Sequence, residues 1–107
     1  MQLDTQALFE SLWFGTDTKP VLIWFTAKWC KPCQRMDKAA IEAAAKAAGF
    51  AYYICDITVN EYTPGFCGVR AFPTFMVQQP RKVLGKITNS DTSAVCAWIQ
   101  AVSKTVS

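Results

Sequence analysis

Apolar residues recur along this chain in two rhythms, and the switches between them mark its elements. Ala7, Leu8, Leu12 and Trp13 fall at helical spacing behind Asp4 or Thr5, either of which can cap a helix, and Gly15 ends the run. Residues 16–20 read as a polar turn. Val21-Leu22-Ile23-Trp24-Phe25-Thr26 is apolar at consecutive positions, the pattern of a central strand covered on both faces. A helical rhythm returns with Pro32, which suits a first turn because its missing N–H costs nothing there. Met36, Ala40, Ile41 and Ala44 carry one continuous helix on to Gly49, a natural terminator.

Residues 50–57 read as a second buried strand, and residues 58–68 as irregular chain or a short helix interrupted by Pro64-Gly65. Two short strands, 74–78 and 82–86, flank Gln79-Pro80-Arg81 as a hairpin. Asn89 or Ser90 caps a last helix with Ala94, Val95, Trp98, Ile99 and Val102 on its apolar face. The predicted order is α-β-α-β-(α)-β-β-α. Its middle is a βαβ unit, which requires parallel strands and a right-handed crossover. The class is therefore α/β, with neither an internal repeat nor a low-complexity segment.

Composition narrows the picture. A chain of 107 residues makes one compact domain, residues 1–107. Its 51% hydrophobic content supports a core without a disulfide staple or a metal. The net charge of +3 is mildly basic, but no Lys/Arg run or basic-aromatic motif argues for nucleic acid. The longest apolar run is too short for a membrane span, and the first residues lack the basic and apolar regions of a signal peptide. The expected setting is a reducing cytoplasm.

Five cysteines and no histidine bound the chemistry. Only Cys30 and Cys33 stand at redox spacing, between a buried strand and a helix. Unpaired N–H groups at a helix start favour thiolate over thiol, and the thiolate is what attacks disulfides. Lys28, Lys31, Arg35 and Lys38 gather around the pair. Two thiolates are half a zinc site, and with no histidine and no second Cys-x-x-Cys no metal is expected. Cys55, Cys67 and Cys96 lie singly in apolar stretches and read as buried fillers, with Cys67 the one open to partial exposure. Trp13, Trp24 and Trp98 read as core, and Asp56 as a polar residue at a strand end.

Trp29-Cys30-Lys31-Pro32-Cys33 beside a βαβ unit resembles the thioredoxin family, and Arg70-Ala71-Phe72-Pro73-Thr74-Phe75 resembles that family's cis-proline segment. The likeness covers essentially the whole chain. It implies a thioredoxin fold: a central mixed four-stranded sheet, with at most a rudimentary fifth N-terminal strand, flanked by helices on both faces. It also implies that Cys30, exposed at the helix start, attacks a substrate disulfide and that the more buried Cys33 resolves the mixed disulfide. Trp29 becomes a surface platform, Phe72 and Pro73 present backbone to an extended substrate, and Gly85 resembles the glycine that lets that backbone approach. An apolar surface would gather Trp29, Phe72, Pro73 and Phe66. The chain departs from the family pattern at Trp24, where a buried Asp is usual, with Ile54 matching the position of its Lys partner. Lys38 replaces a kinking proline, so the helix bend should weaken, and the spacing from Pro73 to Gly85 implies a shortened hairpin.

The leading reading is a monomeric protein-disulfide reductase that uses the Cys30–Cys33 disulfide and no bound cofactor. Disulfide-containing proteins are its substrates and a thioredoxin reductase its electron donor. Two alternatives stand beside it. Lys31 stabilises the thiolate and so raises the potential, as an oxidase or isomerase would need. The same surface would also suit a binding or assembly subunit in which redox chemistry is secondary.

Overall fold

The structure is a computed structural model that describes residues 1–106. Its elements are α1 (Gln6–Trp13), β1 (Val21–Thr26), α2 (Lys31–Gln34), α3 (Lys38–Ala47), β2 (Ala51–Asp56), α4 (Tyr62–Phe66), β3 (Thr74–Gln79), β4 (Lys82–Thr88) and α5 (Thr92–Thr105). The four strands form one sheet in the order β2-β1-β3-β4. β1 runs parallel to β2 and antiparallel to β3, and β3 and β4 form the antiparallel hairpin. Pro80 and Arg81 make its turn, with Arg81 at φ 56° and its N–H donated to the Trp13 carbonyl at 2.9 Å.

β1 is apolar from Val21 to Phe25 because it has a core on each face. Leu22 and Trp24 pack with Tyr52, Phe75 and Val77 beneath Ile41 and Ala45 of α3 and Val95, Ile99 and Val102 of α5. Val21, Ile23 and Phe25 pack with Cys55 and Met76 beneath Phe9 of α1. Each fully buried large side chain contributes about 1.5–3 kcal/mol, so losing either face would remove several such terms. The sheet has the four strands expected, and all that stands in for a rudimentary fifth is one parallel bridge, Gln2 with Ile54. There Leu3 N donates to Ile54 O at 2.8 Å and Ile54 N to Met1 O at 2.9 Å.

Two expectations about helix ends are corrected. The run from Pro32 to Gly49 is not one helix, for it breaks after Gln34 and restarts at Lys38. No proline is needed: the Asp37 carboxylate accepts from Ala40 N at 3.1 Å and caps α3, while Asp37 N donates to Thr92 Oγ1 at 3.1 Å. The last helix is capped by Asp91, not by Asn89 or Ser90, because its carboxylate accepts from both Ser93 N and Ala94 N. Asn89 instead shapes the approach, its Oδ1 accepting from Asp91 N at 2.8 Å.

Candidate active site

Beyond the last residue of β1, Ala27 is buried and its carbonyl accepts from both Cys30 N at 3.1 Å and Gln34 Nε2 at 3.0 Å. These two bonds fold Lys28 and Trp29 outward and return the chain as α2. Cys30 is the N-cap of that helix. Its Sγ accepts from Cys33 N at 3.3 Å, and Pro32 occupies the first turn where no N–H is required. The two cysteines are joined as a disulfide with Cα atoms 5.3 Å apart. A donor already aimed at Cys30 Sγ favours the charged form of that sulfur once the bond opens.

The site is drier than the sequence suggests. Cys30 was expected to be exposed, but it is only 4% accessible and Cys33 1%. The pair packs on Ala27, with Ile57 and Phe72 laid against it, and in the disulfide Cys30 Sγ is turned toward Cys33. Exposure belongs to Trp29, which is 64% accessible and meets Phe72 edge to face at 5.9 Å. The Phe72–Pro73 peptide is cis, and Thr74 Oγ1 ties this segment back to Ala71 O at 2.7 Å. Lys28, Lys31, Pro32, Arg35 and Lys38 are exposed around the helix start. The structure thus brings Trp29, Cys30, Lys31, Pro32, Cys33, Phe72 and Pro73 together.

Other residues lie elsewhere. Trp24 is 1% accessible, pairs in register with Ile54 and packs on Phe75 at 5.2 Å, with no hydrogen-bond partner for its Nε1. Asp56 serves its own turn, accepting from Thr58 N at 2.9 Å and Thr58 Oγ1 at 2.6 Å. Gly85 does not belong to the site. It pairs with Val77 in mid-strand, and a Cβ there would lie 3.2 Å from both Trp98 and Val102, so its smallness serves the packing of α5. The shortened hairpin inferred from its spacing falls with it. Phe66 is 54% accessible but meets Phe9 and Trp13 edge to face, and not Trp29.

The free cysteines also divide. Cys55 is buried as expected, Cys67 is half-buried, in keeping with the partial exposure allowed for it, and Cys96 is half-buried and not the enclosed filler expected. Burial pushes the Cys55 thiol up to about 12, with Cys67 and nearby carboxylates adding to the rise. Burial takes Cys67 to about 12 as well, against the opposing pull of Lys86. Cys96 is raised too, by burial first and Asp37 second. All three are therefore sluggish thiols at neutral pH. Among the described residues no cluster of His, Cys, Asp or Glu could hold a metal ion.

Sequence reasoning missed three neighbours of the site. Gln34 clamps the loop through Ala27. Ile57, counted only as the end of an apolar strand, packs on the disulfide. Asn89 follows Thr88, which pairs with Thr74, so it lies at the end of β4 beside Pro73. Only the pairing register places it there.

Three comparisons bear on this arrangement. The thioredoxin family model matches residues 3–101. A thioredoxin of Geodia cydonium is 34% identical over 77% of both chains. One of Rhodospirillum rubrum is 33% identical, covering 77% of this chain and 81% of its own. The crystal structure of thioredoxin from Trypanosoma brucei brucei superposes with a TM-score of 0.83 at 21% identity, covering 97% of this chain and 90% of the other, which speaks to the fold.

Proposed function

Because this chain belongs to the thioredoxin family and is a thiol-disulfide oxidoreductase, we propose that it reduces protein disulfides, with Cys30 attacking and Cys33 resolving. The observation that carries this is the Cys33 N–H aimed at Cys30 Sγ inside a disulfide-bonded pair at the start of α2. The Cys30 thiolate attacks one sulfur of the substrate disulfide and expels the other as thiolate. Cys33 then attacks Cys30 Sγ, the second substrate sulfur leaves, and the Cys30–Cys33 disulfide closes. Two electrons pass from the dithiol to the substrate. The Cys33 proton goes to a departing substrate thiolate, since Trp24 and Ile54 offer no carboxylate or amine to take it.

Trp29 and Phe72 supply the apolar contact for the substrate chain, and the backbone beside Pro73 supplies strand-like hydrogen bonds. Lys31 and Pro32 tune the dithiol. The partners in this reading are disulfide-containing proteins, with a thioredoxin reductase as electron donor, in the cytoplasm. The protein works as a monomer. The equilibrium potential of the Cys30–Cys33 couple against a thiol buffer tests the direction. About −270 mV supports a reductant, and about −180 mV or above assigns an isomerase or oxidase instead. A Cys30→Ser, Cys33→Ser variant that keeps full biological activity would assign a binding subunit.

A further inference from the structure

The rim of the disulfide site is cationic in a way that local structure does not call for. Lys28 precedes the exposed Trp29, Lys31 stands between the two cysteines, and Arg35 closes α2 one turn further on. Arg70 comes from a separate segment, two residues before Phe72, which is laid against the disulfide. All four are exposed. Both segments that build the Trp29–Phe72 platform thus carry cations to its edge.

Helix stability does not explain them. The positive end of a helix favours an acid, yet neither α2 nor α3 has one in its first turn, and Lys31 and Lys38 stand there instead. Lys31 and Arg35 are four residues apart, a helical spacing at which like charges repel. Internal pairing does not explain them either. Among the described residues the one salt bridge is Lys46 with Glu42, at 3.3 Å near the far end of α3. The carboxylates of the neighbouring loops are turned to their own backbone: Asp37 accepts from Ala40 N, Asp56 from Thr58 N and Asp91 from Ser93 N. Stabilising the Cys30 thiolate calls for charge close to that sulfur, which Lys28 and Lys31 supply. Arg70 stands instead on the segment along which the substrate backbone is laid.

Resting on the reductase reading above, we propose that this rim selects the substrate: Lys28, Lys31, Arg35 and Arg70 recruit protein disulfides whose cysteines are flanked by Asp or Glu. A strand laid beside Pro73 advances roughly 3.3 Å per residue. Acids within about three residues of the attacked cysteine therefore fall within about 10 Å of it, the distance over which charges are felt at about 0.1 M salt. The attraction acts on the encounter, so it lowers KM and fades as salt is added. Basic flanks are repelled by the same rim.

Peptides that share one intramolecular disulfide and carry Asp, Ser or Lys at the flanking positions test this. At about 0.01 M salt the Asp peptide should be reduced on the order of tenfold faster than the Ser peptide in kcat/KM, through KM, and the Lys peptide correspondingly slower. At about 1 M salt, where screening acts within about 3 Å, the three should converge to within about twofold. A Lys28→Gln, Arg35→Gln, Arg70→Gln variant should lose most of the preference. A Lys19→Gln, Lys82→Gln, Lys104→Gln variant should keep it. That control removes the same charge away from the site: Lys82, for one, pairs with Gln79, five residues along β3 from Thr74, roughly 17 Å. All six side chains are exposed, so neither variant touches the core, and comparing the variants cancels the intrinsic reactivity of each peptide. Equal kcat/KM for the three peptides, a preference that high salt leaves intact, or equal loss in both variants overturns the proposal. The direction of exchange is read separately from the potential. The same peptides are therefore offered as dithiols to the oxidised protein too, and the preference should appear in whichever direction runs. Exchange with none of them in either direction overturns both readings.

Discussion

At the position in β1 where its relatives' pattern calls for a buried acid, this chain has Trp24, packed on Phe75 within the larger core. Trp24→Asp should therefore destabilise by about 3–5 kcal/mol, since a large side chain leaves a cavity and a carboxylate enters without a partner. Urea unfolding measures this, and an unchanged midpoint would show that the core tolerates charge there. Gly85 yields a second prediction. Gly85→Val should cost about 1–3 kcal/mol by crowding Trp98 and Val102, while the folded fraction reduces substrate at the normal rate. A raised KM with unchanged stability would return Gly85 to the substrate path. Cys30 and Cys33 were legible from their spacing and their place at a helix start, whereas Trp29, Phe72 and Pro73 joined them only through the resemblance to the family's motifs. Gly85 was misplaced because it was matched to the family's glycine by resemblance alone, whereas the hairpin register, which no local pattern reveals, sets it opposite Val77, four residues from Pro73.

At the scale of elements, the helix that bears the disulfide is only four residues long and is set off from α3 by Asp37. Asp37→Ala removes the α3 cap and should cost about 1 kcal/mol, read as a lower denaturation midpoint. Thr92→Val removes the acceptor for Asp37 N and should cost a similar amount, about 1 kcal/mol. Because both act on one junction, the double variant should lose less than the sum of the two, and simple additivity would show that the cap and the Thr92 tie act independently. The break escaped detection because the apolar stripe of Met36, Ala40 and Ile41 keeps helical spacing across it. A capping Asp inside a periodic run is visible in the residues, yet its competition with continued helix is decided by Thr92, distant in the chain. The strands were easier to read: a doubly covered β1 must be apolar along its covered length, Val21 to Phe25, whatever its neighbours.

For the molecule as a whole, the raised Cys55 and Cys67 thiols link stability to alkaline pH. Folded, both hold their protons to about pH 12, whereas an unfolded thiol ionises near about 8.5. The folded state therefore binds more protons in that window, and stability is full below about pH 8.5 and falls as pH rises toward 12. Tyr52, raised by burial, adds to the same trend. The urea midpoint should decline across this range, and a Cys55→Ala, Cys67→Ala variant should decline less steeply. Equal slopes would remove the thiols from the effect. The N-terminal bridge has a different consequence. Met1 and Leu3 take up backbone groups of Tyr52 and Ile54 on the outer side of β2, so one rim of the sheet is already spoken for. The other rim, β4, is left open and guarded by Lys82 and Lys86. A sheet with a single free rim has a valence of one: if two copies ever join strand to strand, they close as a pair, and no fibre can grow from them.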